Sequence, residues 1–376
     1  MPRLPICRAG EPLKIRSRDL EFSFWPMRRT DRRWGLHSML YATDPWAVIT
    51  SSLRDSGKTL ELPSAESFVR QAREYFLAAD RATALETKPV LYYYSFLNLS
   101  KALALARGRP GIGAKVGHGI AHVAPQAGEL IQNATLAAQR SSTKVSVFDE
   151  LNRSISGSPL AVLSIPAADL MAQSILGHRM WREAGGTYRR ERFIAIERVV
   201  LMHDSASQEV WAVIEVPIEV MESRGRGVAE VVRDGHLSGV FHAVADGKSP
   251  NGTPVRRFQQ TTPIPYSGRA ADIVAELVSG IRPLLWRTVT AASPYRRYFF
   301  YLSPTGEIRL PQMVSAYALM FLLGSLTRYQ PAYLLSAMDG PFGGFLREFL
   351  AAQPAQVLYG LACEFKRQEV SRAAVV

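Results

Sequence analysis

Two histidines, His118 and His122, are four residues apart in the segment GHGIAHVA. On a helix, that spacing would place both imidazoles on one face, where they could bind a metal ion. Glu129 is an acid within reach, but no third ligand with a metal-type spacing is visible nearby. The pair is therefore a candidate metal site, and the competing interpretation is two histidines that are free or hydrogen-bonded within the protein.

Arginines accompany aromatic or glycine residues in two segments of the middle of the chain. In the segment YRRYFFY, Tyr295–Tyr301, rings could stack on bases while arginines hold phosphates, and a second cluster surrounds the glycines at 185 and 186. If these arginines are exposed, replacing them changes stability little. The competing interpretation is a solvated or ion-paired surface. Five residues are the candidate nucleic-acid-binding set: Arg189, Arg190, Arg192, Arg296 and Arg297.

The charge of the whole chain agrees with an acidic partner. Lysine and arginine number 45 against 33 acidic residues, which gives a formal net charge of +12. Such a field favours nucleic acid or an anionic membrane surface, although basic composition also serves solubility alone. Charge therefore does not select the partner.

Composition predicts a globular, intracellular protein. Its 376 residues are 47% hydrophobic and 21% charged, enough for two or three packed subregions. Cys7 and Cys363 lie at opposite ends and form no C-x-x-C pair, which argues against a disulfide framework and a zinc ribbon. No apolar signal segment opens the chain, and the most apolar run, from Met313 to Leu323, is too short for a bilayer span. We expect a cytoplasmic protein without a cofactor or a membrane partner.

Helical patterns dominate both ends of the chain. Pro89 and Gly108 enclose a helix that is apolar on nearly every face and must be covered on all sides. A second apolar helix is predicted from Gln312 to Arg328, and we expect the two to pair, with Phe96 and Phe321 buried. Further helices are predicted after Pro63, at 147–155, at 167–181 and, near the C-terminus, at 332–338, 342–352 and 355–369.

Short β-type runs separated by turn residues fill the middle third. They are predicted at 192–202, 210–216, 228–232 and 237–244, followed by a helix at 270–281. A hairpin is then predicted from strands at 298–302 and 307–310. The fold class is therefore α+β, with residues 1–62 as an irregular basic arm, which has one edge strand at 20–25. A helical part at 63–185, a β-rich part at 186–311 and C-terminal helices at 312–376 follow.

Four segments carry a resemblance to a known family. They are KPVLYYYSFLNLSKALALARG at Lys88–Gly108, the His118–Gly119 pair, VFDEL at 147–151 and LLGSLTRYQP at 322–331. Together they resemble the YaaC-like family of bacterial proteins, over residues 46–369. The resemblance implies a shared fold and carries no established catalytic residues.

The Tyr-Tyr-Tyr-x-Phe helix is also similar to the second helix of HEPN domains, which are helical bundles found in ribonucleases, toxins and phage-defence proteins. That resemblance implies an arginine that steadies a phosphate and, four to six residues later, a histidine that acts in RNA cleavage. The pairs Arg32/His37 and Arg198/His203 have this spacing. One pair lies in the basic arm and the other in a predicted strand, so the competing interpretation is a chance match.

We therefore expect an HEPN-like bundle of N- and C-terminal helices with a β-rich middle part. The predicted function is a non-enzymatic accessory component of a bacterial defence or stress module that engages nucleic acid or a partner protein. One alternative is an HEPN-type ribonuclease, and another is a purely structural protein-interaction subunit.

Overall fold

The computed structural model contains both helices and strands, which confirms the α+β class. It describes residues 4–15, 18–20, 22–25, 28–29, 36–37, 39–55, 61–109, 112, 115–123, 125–126, 128–161, 164–184, 189–292 and 295–372.

The helices share one feature, a face or a whole surface of apolar residues that neighbouring elements cover. In chain order they are α1 (Pro45–Asp55), α2 (Leu62–Arg81), α3 (Lys88–Ala106), α4 (Val147–Ser156), α5 (Ala167–Ala172), α6 (His178–Glu183), α7 (Ile218–Ser223), α8 (Val228–Asp234), α9 (Ala270–Thr288), α10 (Gln312–Tyr329), α11 (Pro331–Asp339) and α12 (Gly343–Lys366). None of these described helices combines the length and the apolar character that crossing a membrane requires.

The strands are short outside the middle third of the chain. In chain order they are β1 (Glu11–Pro12), β2 (Lys14–Ile15), β3 (Arg18–Asp19), β4 (Arg28–Arg29), β5 (Leu36–His37), β6 (Met39–Tyr41), β7 (Val116–Gly117), β8 (Ile120–Val123), β9 (Thr135–Ala138), β10 (Val145–Ser146), β11 (Ser164–Pro166), β12 (Phe193–Ile196), β13 (Arg198–Asp204), β14 (Glu209–Pro217), β15 (Phe241–Lys248), β16 (Pro254–Gln260), β17 (Ile264–Pro265), β18 (Val289–Ala292), β19 (Arg297–Tyr301) and β20 (Glu369–Ser371).

The chain divides into two compact units, and the first is built on β-sheets. It comprises the described residues within 1–41, 191–306 and 367–376. Its largest sheet has the order β1-β13-β14-β16-β15, with β17 also paired to β14. Strand β14 is buried from Val210 to Val216 because β13 and β16 flank it and α9 packs on it. A second sheet, β12-β19-β18, the parallel pair β20-β6 and the two-stranded pairs β2-β3 and β4-β5 also belong to this unit.

The second unit is mainly helical and has α3 at its centre. It comprises the described residues within 42–190 and 307–366. Helices α2, α4, α10 and α12 all pack against α3. The predicted pairing of the two most apolar helices is confirmed, because Phe96 is 1% and Phe321 6% exposed and both helices are buried along most of their length. Strands β8, β9 and β11 form a small antiparallel sheet in this unit.

Several sequence expectations are wrong, among them the following four. Residues 1–62 are not irregular throughout, since α1 lies among them and buries Trp46 and Ile49. The segment 228–232 is helical, because its valines recur three and four residues apart and only Val231 is fully buried. The segment 307–310 is not a strand, since both edges of β19 are already paired with β12 and β18. The described residues of 20–25 form no strand.

Candidate functional site

Helices α3 and α10 pack closely together at Gly324, inside the LLGSLTRY segment. A Cβ atom at this position would lie 3.2 Å from the Pro89 carbonyl oxygen and from the Tyr93 Cβ, and 3.3 Å from the Val90 Cα. A side chain at this position would require the neighbouring backbone to move by a few tenths of an ångström, so glycine favours this close packing. The glycine therefore brings the aromatic residues of α3 against α10.

Tyr93 links this helix pair to the turn that carries His118. The Tyr93 hydroxyl and the His118 Nδ1 are 2.5 Å apart, and the two ring centroids are 5.7 Å apart. The turn between β7 and β8 has Gly119 at φ +74°, and a Cβ there would collide with Ser146. Tyr93 is fully buried, whereas His118 is more exposed and its ring is only partly covered.

Burial determines the protonation state of the tyrosines. It raises the pKa of both the Tyr93 and the Tyr317 hydroxyls well above the ordinary value. The Tyr317 hydroxyl interacts with that of Tyr93 but makes no hydrogen bond of normal geometry with any described residue. Because Tyr93 keeps its proton, its hydroxyl can donate to Nδ1 when the neutral His118 ring carries its own proton on Nε2.

Arg328 lies near the C-terminal end of α10 and is held in place by aromatic rings. Its Nη1 donates to the Tyr94 hydroxyl at 3.0 Å, and its Nε donates to the Gly324 carbonyl oxygen at 3.2 Å. The guanidinium lies 5.7 Å from the Tyr94 ring centroid and 5.0 Å from that of Tyr329. Tyr75 stacks on the Tyr94 ring at 5.6 Å. These contacts fix the orientation of a half-buried cation.

His122 lies on strand β8, and its ring meets the edge of Phe321 at a centroid distance of 5.9 Å. Burial lowers the pKa of both His118 and His122, and the nearby positive charge of Arg328 lowers both further. Lys101 adds to the effect on the His118 pKa. The site therefore combines two imidazoles that favour the neutral form with a fixed arginine.

The two histidines do not occupy a helix as the metal interpretation required. His118 lies in a turn and His122 in a strand, where residues four apart share a face but are more widely spaced than on a helix. Within the described ranges, no group of three or more His, Cys, Asp or Glu side chains could hold a metal ion. The Glu129 carboxylate instead accepts a hydrogen bond from the Gln126 backbone at 2.8 Å.

Two of the five arginines in the candidate nucleic-acid set belong to the second unit. Arg189 donates to the carbonyl oxygens of Trp181 at 2.8 Å and Ala184 at 2.9 Å. Its guanidinium also lies 5.0 Å from the Trp181 ring centroid and 5.4 Å from that of Phe342. Arg190 is exposed. Arg189 is therefore part of the packing of its unit, which corrects the expectation of an exposed surface residue.

The other three belong to the first unit. Arg192 donates from Nη1 to the Tyr301 hydroxyl at 3.0 Å. Arg296 pairs with Glu369, its Nε being 3.0 Å from Oε1. Arg297 is exposed on β19. Arg296 and Arg192 are thus engaged by protein groups, so the five arginines do not form one set of equally available cations.

The two Arg/His pairs with ribonuclease-type spacing are not brought to one point where the structure describes them. Arg32 lies outside the described residues, and His37 is in β5. Arg198 and His203 are five residues apart on β13, so their side chains point to opposite faces of the sheet. Arg198 is bound to Glu215 at 2.6 Å, and the His203 Nε2 is 3.7 Å from a Glu11 carboxylate oxygen.

The second unit also contains a groove with a volume of about 710 Å³, which the sequence interpretation missed. We call it the basic groove, because its lining has more lysines and arginines than carboxylates. Its charged lining residues are Lys115, Arg140, Lys144, Asp149, Glu150 and Arg153, and Ser141, Ser142, Thr143 and Ser146 add hydroxyl groups.

The carboxylates of this basic groove are already neutralised. Arg153 lies 2.8 Å from Asp149 and 3.7 Å from Glu150, and Arg109 lies 3.4 Å from Glu150. Lys115 and Lys144 are exposed, and their ammonium groups have no partner in the part of the chain that is described. The segment RSSTK at 140–144 was the available signal, a short run of cations and hydroxyls between two strands.

Comparison with known proteins gives one match. A family model described as YaaC-like Protein matches residues 38–365. No curated protein matches the chain. No solved structure matches it either.

Proposed function

Since the chain belongs to the YaaC-like family, we propose from its own geometry that it is a non-enzymatic accessory component of a bacterial defence or stress module that engages nucleic acid. The observation that carries the proposal is the basic groove, in which lysines and arginines outnumber carboxylates that are already paired. The resemblance of the Tyr-Tyr-Tyr-x-Phe helix to HEPN domains supports the type of module and the HEPN-like bundle.

The groove favours single strands. A volume of about 710 Å³ is in the range of small-ligand sites, which is enough for a few nucleotides of a single strand. Its hydroxyls and ammonium groups suit phosphate oxygens, and among the described lining residues only Val145 and Pro159 are apolar. Because none of these described residues is aromatic, binding would rest on phosphate contacts and show no sequence preference.

The test is fluorescence anisotropy with short single-stranded RNA and DNA and with matched duplexes, over a series of salt concentrations. The double variant Lys115→Glu/Lys144→Glu should lose most of the affinity at physiological salt. A neutral version, Lys115→Gln/Lys144→Gln, should lower the salt slope of the binding constant by about 1.4, because each lost single-strand phosphate contact contributes about 0.7.

The matched control is Arg70→Glu/Arg81→Glu, which makes the same change of charge on exposed positions of α2 outside the groove. This control should retain most of the affinity. If both double variants weaken binding equally, a diffuse field and not the groove binds nucleic acid. If the wild-type protein binds none of the probes at any salt concentration, the nucleic-acid proposal fails and a protein-interaction role replaces it.

The ribonuclease alternative makes a separate prediction. It requires cleavage of RNA that is lost in His37→Ala or His203→Ala. The opposite orientations of Arg198 and His203 on β13 argue against the second pair.

A further inference from the structure

Arg328, His118 and His122 keep polar atoms that no other described residue uses. Arg328 bonds through Nε and Nη1, and its Nη2 makes no hydrogen bond within the described part of the chain. The His118 ring is hydrogen-bonded to a described residue only through Nδ1, to Tyr93. The His122 ring contacts Phe321 but makes no hydrogen bond to a described residue. Each side chain therefore retains a donor for a ligand.

A continuous set of contacts holds these three residues along one side of the α3/α10 pair. The Phe321 ring lies 5.3 Å from the Tyr93 ring and 5.9 Å from the His122 ring, and Tyr93 holds His118. Phe321 and Arg328 are seven residues apart on α10, which places them on the same face of the helix. The two imidazoles and the guanidinium therefore border one aromatic surface.

This surface has an excess of positive charge. No carboxylate of a described residue forms an ion pair with Arg328, although the guanidinium is half-buried. The charged groups that act on the two imidazoles are both cations, Arg328 and Lys101. An anion at this place would remove an unfavourable interaction and supply acceptors for the remaining donors.

We propose that Arg328, His118 and His122 bind a phosphate group. A guanidinium held by two aromatic rings presents its remaining N–H groups in a fixed direction, which suits the oxygens of a phosphate. An imidazole N–H supplies a further donor from each histidine. The ligand is therefore a phosphate group, either free or carried by a nucleotide or an RNA chain, and the site is separate from the basic groove and does not depend on it.

The test is a titration of the full chain with inorganic phosphate, adenosine monophosphate and a short single-stranded RNA, followed by the NMR signals of the histidine rings. His118→Gln and His122→Gln assign the two signals. Both signals should move with one shared dissociation constant for each ligand that binds. Tighter binding of the nucleotide than of inorganic phosphate identifies a nucleotide ligand, and tighter binding of RNA identifies a strand phosphate.

Arg328→Gln should weaken this binding by about tenfold or more, since it removes a charge-assisted hydrogen bond. The matched control Arg179→Gln replaces an exposed arginine of the same unit and should leave the constants unchanged. Because Arg328→Gln removes packing on Tyr94, His122→Gln provides a second variant that loses no hydrogen bond to a described residue, and it should weaken binding severalfold.

Three results would overturn the site. One is the absence of any shift of the two histidine signals with all three ligands, and another is equal affinity of the wild type and both variants. The third is loss of phosphate binding in Lys115→Glu/Lys144→Glu but not in Arg328→Gln or His122→Gln, which would assign the phosphate to the basic groove. If Lys115→Glu/Lys144→Glu loses RNA binding but still binds inorganic phosphate with the wild-type constant, the phosphate site is supported as separate from the basic groove.

Discussion

The Arg296 guanidinium and the Glu369 carboxylate are 3.0 Å apart, and the Glu369 side chain is only 5% exposed. The same Glu369 oxygen accepts a hydrogen bond from the Tyr298 hydroxyl at 3.1 Å. This network connects β20 to the turn before β19, although the residues are more than seventy positions apart. Arg296, which the sequence suggested as a phosphate ligand, therefore forms an ion pair with a buried carboxylate.

Replacing Arg296 by methionine should destabilise the protein by about 3 kcal/mol, because the partner carboxylate is left buried without its cation. The neighbouring exposed Arg297 offers a matched control, and Arg297→Met should change the free energy of unfolding by less than about 0.5 kcal/mol. Denaturant unfolding measures both. Equal effects of the two substitutions would show that the ion pair contributes no stability.

Arg189 and Arg190 form a second pair of adjacent residues with different surroundings. Arg189→Ala should cost about 2 kcal/mol, because two carbonyl oxygens lose a charged donor and two rings lose a stacking partner. The exposed Arg190, replaced by alanine, should cost less than about 0.5 kcal/mol. Thermal unfolding distinguishes them, and an unchanged transition in Arg189→Ala would restore the interpretation of a solvated arginine.

Gly324 sets the spacing of α3 and α10, so a branched side chain there should be costly. Gly324→Val should destabilise by about 2 kcal/mol or more, because a branched side chain would press on the backbone of Pro89 and Val90 and force the two helices apart. Gly280 also lies within a helix but has open space where a Cβ would stand. Gly280→Val should be neutral or slightly stabilising in the same unfolding measurement. A neutral Gly324→Val would mean that the helix pair can separate at low cost.

The lowered pKa values of His118 and His122 predict a loss of stability in acid. Below the ordinary pKa of 6.5, the unfolded chain binds more protons than the folded chain. The free energy of unfolding therefore decreases as the pH is lowered. Above that value the contribution is fully present.

His122→Gln should therefore lose less stability than the wild type between about pH 7.5 and pH 5.5 in denaturant unfolding. The control His242→Gln leaves both imidazoles in place and should retain the full loss. An identical pH dependence in wild type and His122→Gln would contradict the assigned cause.

The parts of the fold that sequence predicted well have strong internal patterns. The helix from 89 to 108 carries proline and glycine at its ends and apolar residues on every face, so its extent and its central burial could both be inferred. The valines near 228 fit a strand when they are read as a short apolar run, but their spacing of three and four residues is the pattern of the helix that forms there.

The candidate site was predicted only in part because its residues come from separate segments. His118 and His122 were chosen from their mutual spacing, but their relation to Tyr93 and Arg328 depends on long-range packing that no local pattern encodes. Likewise, a sequence does not show which arginines have a partner. The buried Glu369 that engages Arg296 is distant in the chain, and so are the rings that hold Arg189.

The pairing of β20 with β6 has a consequence for synthesis on the ribosome. The first unit collects three stretches of chain, and the last of them follows α12 of the other unit. Its first two stretches leave the ribosome before residues 307–366 of the other unit. The parallel partner of β6 and the counter-ion of Arg296 emerge only after residue 366. The first unit therefore cannot complete its fold until the helical unit has been translated.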